Sequence, residues 1–279
     1  MSTLVHFDDT GINAGGRFIR PVVSRPGIDR ILQAVRKALP EIASLRQDEH
    51  GRIVGRFYGS YITTTFQPWR RPDGTAIAQE TYARSHSRVG EGLSPWRLFA
   101  NTARDSELVA LDRLCRTVHA LNFVSQVDER QMLFVNVDAR LLTAVPEKHG
   151  EFFGKILGLI ELAPKRIVID IPLNQRIDAR ELRLAIASYW RNGFRVALNA
   201  ENVVHARTLS GLIVPDYLML DSAGLTLESL QRLTQDLAHL GCQVIVKRIE
   251  EAEQLEIAAA AGVALVQGFY LDTTATTPR

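Results

Sequence analysis

YITTTFQPW-RRPDG-TAIAQET, residues 61–81, decides the fold. Two strand-like runs rich in Thr, Ile and aromatic residues flank a segment whose Pro-Asp-Gly is turn chemistry. The five residues of RRPDG are too few for the helix that links parallel neighbours. The two runs are therefore expected to pair antiparallel, as a hairpin. Beyond them the pattern changes. The strand candidates MLFVNV, RIVID, FRVAL, YLML, QVIVK and ALVQ alternate with amphipathic helical stretches such as ARELRLAIASYW and TLESLQRLTQDLAHL. Strand–helix alternation over this length points to a parallel sheet covered by helices, either open and doubly wound or closed into a barrel.

A doubly wound sheet would be favoured by a glycine-rich phosphate loop. No GxGxxG or GxxxxGK[ST] occurs, and the GGRF at 15–18 precedes the strand–helix series. Counting from Tyr61 gives eight core strands. The expected fold is therefore α/β, a TIM-like (β/α)8 barrel with a reversed first strand. Upstream, residues 1–27 show no sustained period and read as a loose arm. Apolar residues at 28, 31, 32, 35, 38 and 39 predict a helix over 28–46, interrupted by Pro40. The expected division is an N-terminal arm and helical extension over 1–60, then the barrel domain over 61–279.

Composition narrows the function. The 279 residues are 46% hydrophobic and 23% charged, with a formal charge of +2, which argues against an electrostatically driven nucleic-acid binder. No 18-residue apolar run exists and the N-terminus lacks a signal-peptide pattern, so a cytoplasmic protein with no membrane contact is expected. Cys115 and Cys242 are expected to be two buried free thiols. The seven histidines show no HxH or HExxH spacing, so no zinc site is expected.

The last residues of the core strands form a polar series: Gln67, Glu80, Asn136, Asp170, Asn199, Asp221, Lys247 and Gln267. In a barrel they would meet at one mouth, where active sites of this architecture lie. Strand ends also turn polar simply because they reach solvent. Glu80, Asn136 and Asp170 are hard oxygen ligands of the kind that suit Mg²⁺, Mn²⁺ or Ca²⁺. In RVALNAENVV (195–204), however, the strand ends in an amide and a methyl, Asn199 and Ala200, and Lys247 brings an ammonium that repels a metal. Such a mouth cannot be expected to hold two cations together.

The order of these motifs resembles the EAL domain, the cyclic di-GMP phosphodiesterase family, from about Phe66 to Tyr270. FQPW is similar to the family's "QPI", and QETYAR (79–84) to "YEALLR", keeping Glu80 and Arg84. The segment at 93–114, with Pro95, is similar to "P..FI..AE..GLI..LD". FVNVDARLL is similar to "FINLSPRLL" and keeps Asn136; VQGFYL is similar to "QGYYF" and keeps Gln267. Other motifs depart. IDIPL stands for "LEITE", with Asp170 for the metal-binding Glu. Asn199–Ala200–Glu201–Asn202 stands for "DDFG", Met219–Leu220–Asp221 for "KID", and Val246–Lys247–Arg248–Ile249–Glu250 for "AEGVE".

The resemblance implies a catalytically inactive EAL-like regulatory protein in bacterial signalling, with no catalytic residue, metal or cofactor, acting on an unidentified protein partner. Its candidate surfaces are the 28–46 helix, the 199–211 segment and the outer barrel helices. The alternative is a non-hydrolysing cyclic di-GMP receptor. Its candidate ligand-binding residues are Gln67, Glu80, Arg84, Pro95, Asn136, Asp170, Asp221, Lys247, Glu250 and Gln267. An active phosphodiesterase is the third reading. Glu80 reads equally as an ion-pair partner of Lys247, and Arg84 as a brace for Glu80 or the loop.

Overall fold

A computed structural model describes residues 27–39, 44–87, 92–93, 99, 104–144, 150–173 and 178–274. The hairpin predicted at 61–81 is its longest strand pair. Strands β3 (Ser60–Arg70) and β4 (Ala76–Ser87) run antiparallel, with Gln67 opposite Glu80 and Tyr61 opposite His86. Gly74, in the turn, has φ 89°, a backbone that glycine adopts without side-chain clash. After a short β5 (Gly92–Leu93), antiparallel to β4, the parallel strands follow: β6 (Met132–Asn136), β7 (Ile167–Ile171), β8 (Arg195–Asn199), β9 (Tyr217–Asp221), β10 (Gln243–Lys247) and β11 (Leu265–Val266). They lie in the order β4-β6-β7-β8-β9-β10-β11, and β3 closes the ring antiparallel to both β11 and β4. This is the closed eight-stranded barrel with a reversed first strand.

Burial on both faces explains why these strands read as continuous apolar runs. Their inward side chains, including Trp69, Ala78, Phe134, Val168, Ala197, Met219, Ile245 and Leu265, fill the barrel interior. The rings of Trp69, Phe134 and Tyr217 follow one another with centroids 5.5 Å apart. The outward side chains pack beneath the helices. For example, α5 (Ala179–Arg191) buries Leu182, Ala185, Ile186 and Tyr189, four positions on one helical face. Asp178 caps that helix through its side chain, which accepts from the Arg180 N–H.

The other helices are α1 (Ile28–Ala38), α2 (Asp105–Gln126), α3 (Arg140–Ala144), α4 (Glu151–Leu159), α6 (Val203–Leu212), α7 (Leu227–Ala238), α8 (Ala252–Ala260) and α9 (Phe269–Thr274). The 28–46 helix of the sequence reading is shorter in the structure: it ends at Ala38, and Arg46–Gln47 form a strand, β1, that pairs with β2 (Ile53–Phe57). The residue before a proline is pushed out of the helical region, and Leu39, before Pro40, has φ −136° and ψ 76°. The 199–211 segment forms α6, with the Asn202 side chain capping its first turn by accepting from the His205 N–H at 2.9 Å.

Strand β2 pairs antiparallel with the start of β3, Gly55 opposite Ile62. The division expected at residue 60 therefore falls at the start of β3, within one sheet. This extension packs on α2, which is buried along most of its length. Asn122 of α2 donates to the Ile53 carbonyl and accepts from the Ile53 N–H, both at 2.8 Å. Gly55 lets the strand lie close: a Cβ there would be 2.7 Å from a Leu114 methyl. Cys115 and Cys242 are buried free thiols, as expected. No described helix is long and apolar enough to cross a membrane.

Candidate functional site

Side chains alternate faces along a strand, so the residue two positions beyond an interior side chain points the same way. Ala78 leads to Glu80, Phe134 to Asn136, Val168 to Asp170, Ala197 to Asn199, Met219 to Asp221, Ile245 to Lys247 and Leu265 to Gln267. On the reversed strand the step runs backwards, from Trp69 to Gln67, which sits opposite Glu80. The polar strand ends thus form one ring at the mouth, immediately above the apolar interior.

The ring is hydrogen-bonded internally in two groups. Glu80, 5% exposed, accepts from Gln267 Nε2 at 2.9 Å with one oxygen and from Asn136 Nδ2 at 3.3 Å with the other. Across the mouth, Asn199 is the bridge. Its Nδ2 donates to Asp170 at 2.5 Å and its Oδ1 accepts from Lys247 Nζ at 2.7 Å. Lys247 also lies 3.6 Å from Asp221, whose other oxygen is 3.1 Å from Arg248 Nη1. One oxygen of Asp221 is buried and has no hydrogen-bond partner.

The sequence offers Glu80 as an ion-pair partner of Lys247. Its ion-pair partner is Asp221; Glu80 is held by the two amides instead. Burial raises the Asp170 carboxyl to about 8, with the nearby Glu80 carboxylate adding to the rise; Lys247 and the Asn199 hydrogen bond oppose it. Arg84 shares the face of Glu80 and Tyr82 further along β4, where burial lowers its guanidinium.

Three residues of the expected set are not placed in the ring: Arg84, further along β4, Glu250 and Pro95. Glu250 is exposed, and among the described residues its carboxylate makes no ion pair; its backbone N–H donates to Gln254. Pro95 lies outside the described residues. Two other residues take part without having been candidates. Asn199 stood in the polar series, but its bridging role depends on both neighbours being in reach. Arg248 had no signal, because its left-handed backbone, φ 59°, is invisible in sequence.

A pair of divalent cations needs several converging carboxylates. Among the described residues, no group of three or more His, Cys, Asp or Glu side chains is placed to hold a metal ion. The ring offers amides and an ammonium between its carboxylates, and this donor set does not fit such a metal pair.

The closed barrel, its reversed first strand and the polar ring at the strand ends define the class: an EAL-type β/α barrel. The chain matches the family model "EAL domain" over residues 59–273 and belongs to that family. Among solved structures it is similar to the Bacillus subtilis YkuI protein, with an EAL domain, in complex with cyclic di-GMP and calcium. Identity there is 22% and the TM-score 0.61, covering 75% of this chain and 55% of that one. A standalone EAL protein from Vibrio cholerae, bound to cyclic di-GMP, matches at 17% identity and TM-score 0.62, over 75% and 90% of the two chains. The Xanthomonas citri FimX EAL domain, in complex with cyclic di-GMP, matches at 18% and 0.58, over 90% and 94%. At these identities the likeness speaks for the fold alone. No curated protein matches the chain in sequence.

Proposed function

We propose that this EAL-family protein does not hydrolyse cyclic di-GMP and works as a regulatory protein in cyclic di-GMP signalling, by contact with a protein partner. One observation carries the reading. The Lys247 ammonium lies within the ring of mouth oxygens, hydrogen-bonded to Asn199 at 2.7 Å and 3.6 Å from Asp221. A cation of the protein's own stands where the resemblance would have carboxylates gather a metal, and two metals could not be added beside it without repulsion. Exposed apolar side chains on the outer helices support the contact role: Val204 of α6 is 75% exposed, and Leu212 of α6 and Leu184 of α5 are exposed as well. Cyclic di-GMP incubated with the purified protein and Mg²⁺ or Mn²⁺ should remain intact. Linear pGpG forming at a rate proportional to protein concentration would refute the reading.

A second reading, a receptor that binds cyclic di-GMP without cleaving it, is favoured by the cations around the mouth. Arg84, Lys247 and Arg248 can meet phosphate charge, and an arginine fork suits two phosphate oxygens at once. If it holds, Arg84→Ala should weaken binding by about 1.5–3 kcal/mol, roughly ten- to a hundred-fold. EDTA should leave the affinity unchanged. Calorimetry with no heat at high micromolar ligand would leave only the partner-contact reading.

A further inference from the structure

We propose that the face of the β1–β4 sheet turned away from α2 docks an acidic, extended peptide segment of a partner protein, through Arg46 and Arg56. The proposal deepens the partner-contact reading and rests on it, but it names a surface apart from the mouth and the outer helices. The sheet is continuous here: Arg46 lies opposite Val54, Arg56 opposite Tyr61, and Tyr61 opposite His86. Side chains alternate faces along each strand. Gly55 and Thr64 face α2, the first against Leu114 and the second bonded to His119. The opposite face therefore takes Arg46, Val54, Arg56, Tyr61 and His86.

That face is basic, and its cations are held in place. Arg46 and Arg56 are both exposed. The nearby acids are engaged elsewhere: Asp48 binds Arg52 at 2.8 Å, and Glu49 lies 3.5 Å from His50. Among the described residues, neither Arg46 nor Arg56 has a carboxylate partner. The Arg46 guanidinium lies over the Tyr61 ring, 4.9 Å from its centroid, and that ring is stacked on His86 with centroids 5.5 Å apart. Arg56 Nε donates to the Tyr58 carbonyl at 2.9 Å, which leaves its terminal N–H groups for another acceptor. Side chains ordered in advance lose less freedom when a ligand binds.

The spacing fits an extended acidic chain. Arg46 faces Val54, and Arg56 is two positions further along β2, so the two arginines stand about 7 Å apart in the strand direction. Carboxylates at alternate positions of an extended peptide share one face at the same step. Each can meet a guanidinium fork with two oxygens. Single-stranded nucleic acid fits less well, because it needs open aromatic faces on which bases stack. Tyr61 is flanked by His86 on the β4 side and by Arg46 on the β2 side. A lipid surface would need apolar side chains to bury, and Val54 is already covered.

The test is fluorescence anisotropy of the full chain with a labelled short peptide of alternating Glu and Ser, at low salt. Arg46→Gln and Arg56→Gln should each weaken binding about two- to fivefold, the range for exposed charge pairs. Arg46→Lys combined with Arg56→Lys should bind at an intermediate level, since charge is kept and the fork is lost. Lys155→Gln, which removes an exposed cation from α4, should change nothing. A matched peptide of Gln and Ser should not bind. No binding of the Glu peptide, unchanged affinity in both arginine-to-glutamine variants, or an equal loss in Lys155→Gln would overturn the proposal. So would oligothymidine binding more tightly than the peptide and depending on the same arginines. Any of these results would sink this face and leave the reading of the mouth intact. Cleavage of cyclic di-GMP would instead end the non-hydrolytic reading without changing the peptide titration.

Discussion

Asn199 and Lys247 show how one residue pair can organise a site. An amide has a donor and an acceptor end, and Asn199 uses both, joining the Asp170 carboxyl to the Lys247 ammonium. Lys247 in turn sits against Asp221, with side chains 30% and 35% exposed, so solvent screens part of their attraction. Lys247→Met would leave the Asn199 oxygen and the buried Asp221 oxygen without their cation. We expect a loss of about 1–2 kcal/mol in urea unfolding, the cost of stranding partly buried acceptors. An unchanged midpoint would mean that the ammonium contributes nothing to the mouth. The participants were legible in sequence as polar strand ends. Their pairing was not: Glu80 was an equally good partner for Lys247 on charge alone. Only the barrel's register places Gln267 and Asn136 within reach of Glu80.

The elements follow their local signals with one clear exception. Short continuous apolar runs became the parallel strands, 3.6-period stripes became helices, and a short Pro-Asp-Gly turn became the reversing hairpin. Helix α1 ended early because Pro40 constrains Leu39, and the chain then returned as a strand. The role of α2 was hidden, since a helix buried on several faces has no single apolar stripe to read. Its His119 is buried, with Nδ1 2.7 Å from the Thr64 hydroxyl of β3. Burial lowers this imidazole to about 3, helped by the charge of Arg116. The unfolded chain takes up the proton near pH 6.5, so folded stability is fully present above that value. It should fall as pH drops from there towards 3, by up to about 1.4 kcal/mol per pH unit from this residue. His119→Gln should show a shallower loss than the parent between pH 7 and pH 5 in urea midpoints. Parallel slopes would contradict the assignment.

The whole molecule separates the apolar barrel from its polar mouth. An apolar barrel interior built on Trp69, Phe134 and Tyr217 closes the ring of strands. It needs no ligand to do so. The polar ring stands directly above it, one side-chain step along each strand, so changes there alter chemistry without unpacking the interior. The extension formed by β1, β2 and α1 is joined to the same sheet and core. It had been read as a separate N-terminal addition, because strand pairing between β2 and β3 leaves no local mark in sequence. The central claim is that the mouth carries its own cation in place of divalent metal. Titration with Mn²⁺ followed by electron paramagnetic resonance tests this most directly. The account predicts no stoichiometric Mn²⁺ site at neutral pH in the parent protein. One or two equivalents of tightly bound Mn²⁺, lost on Asp170→Asn or Asp221→Asn, would contradict it.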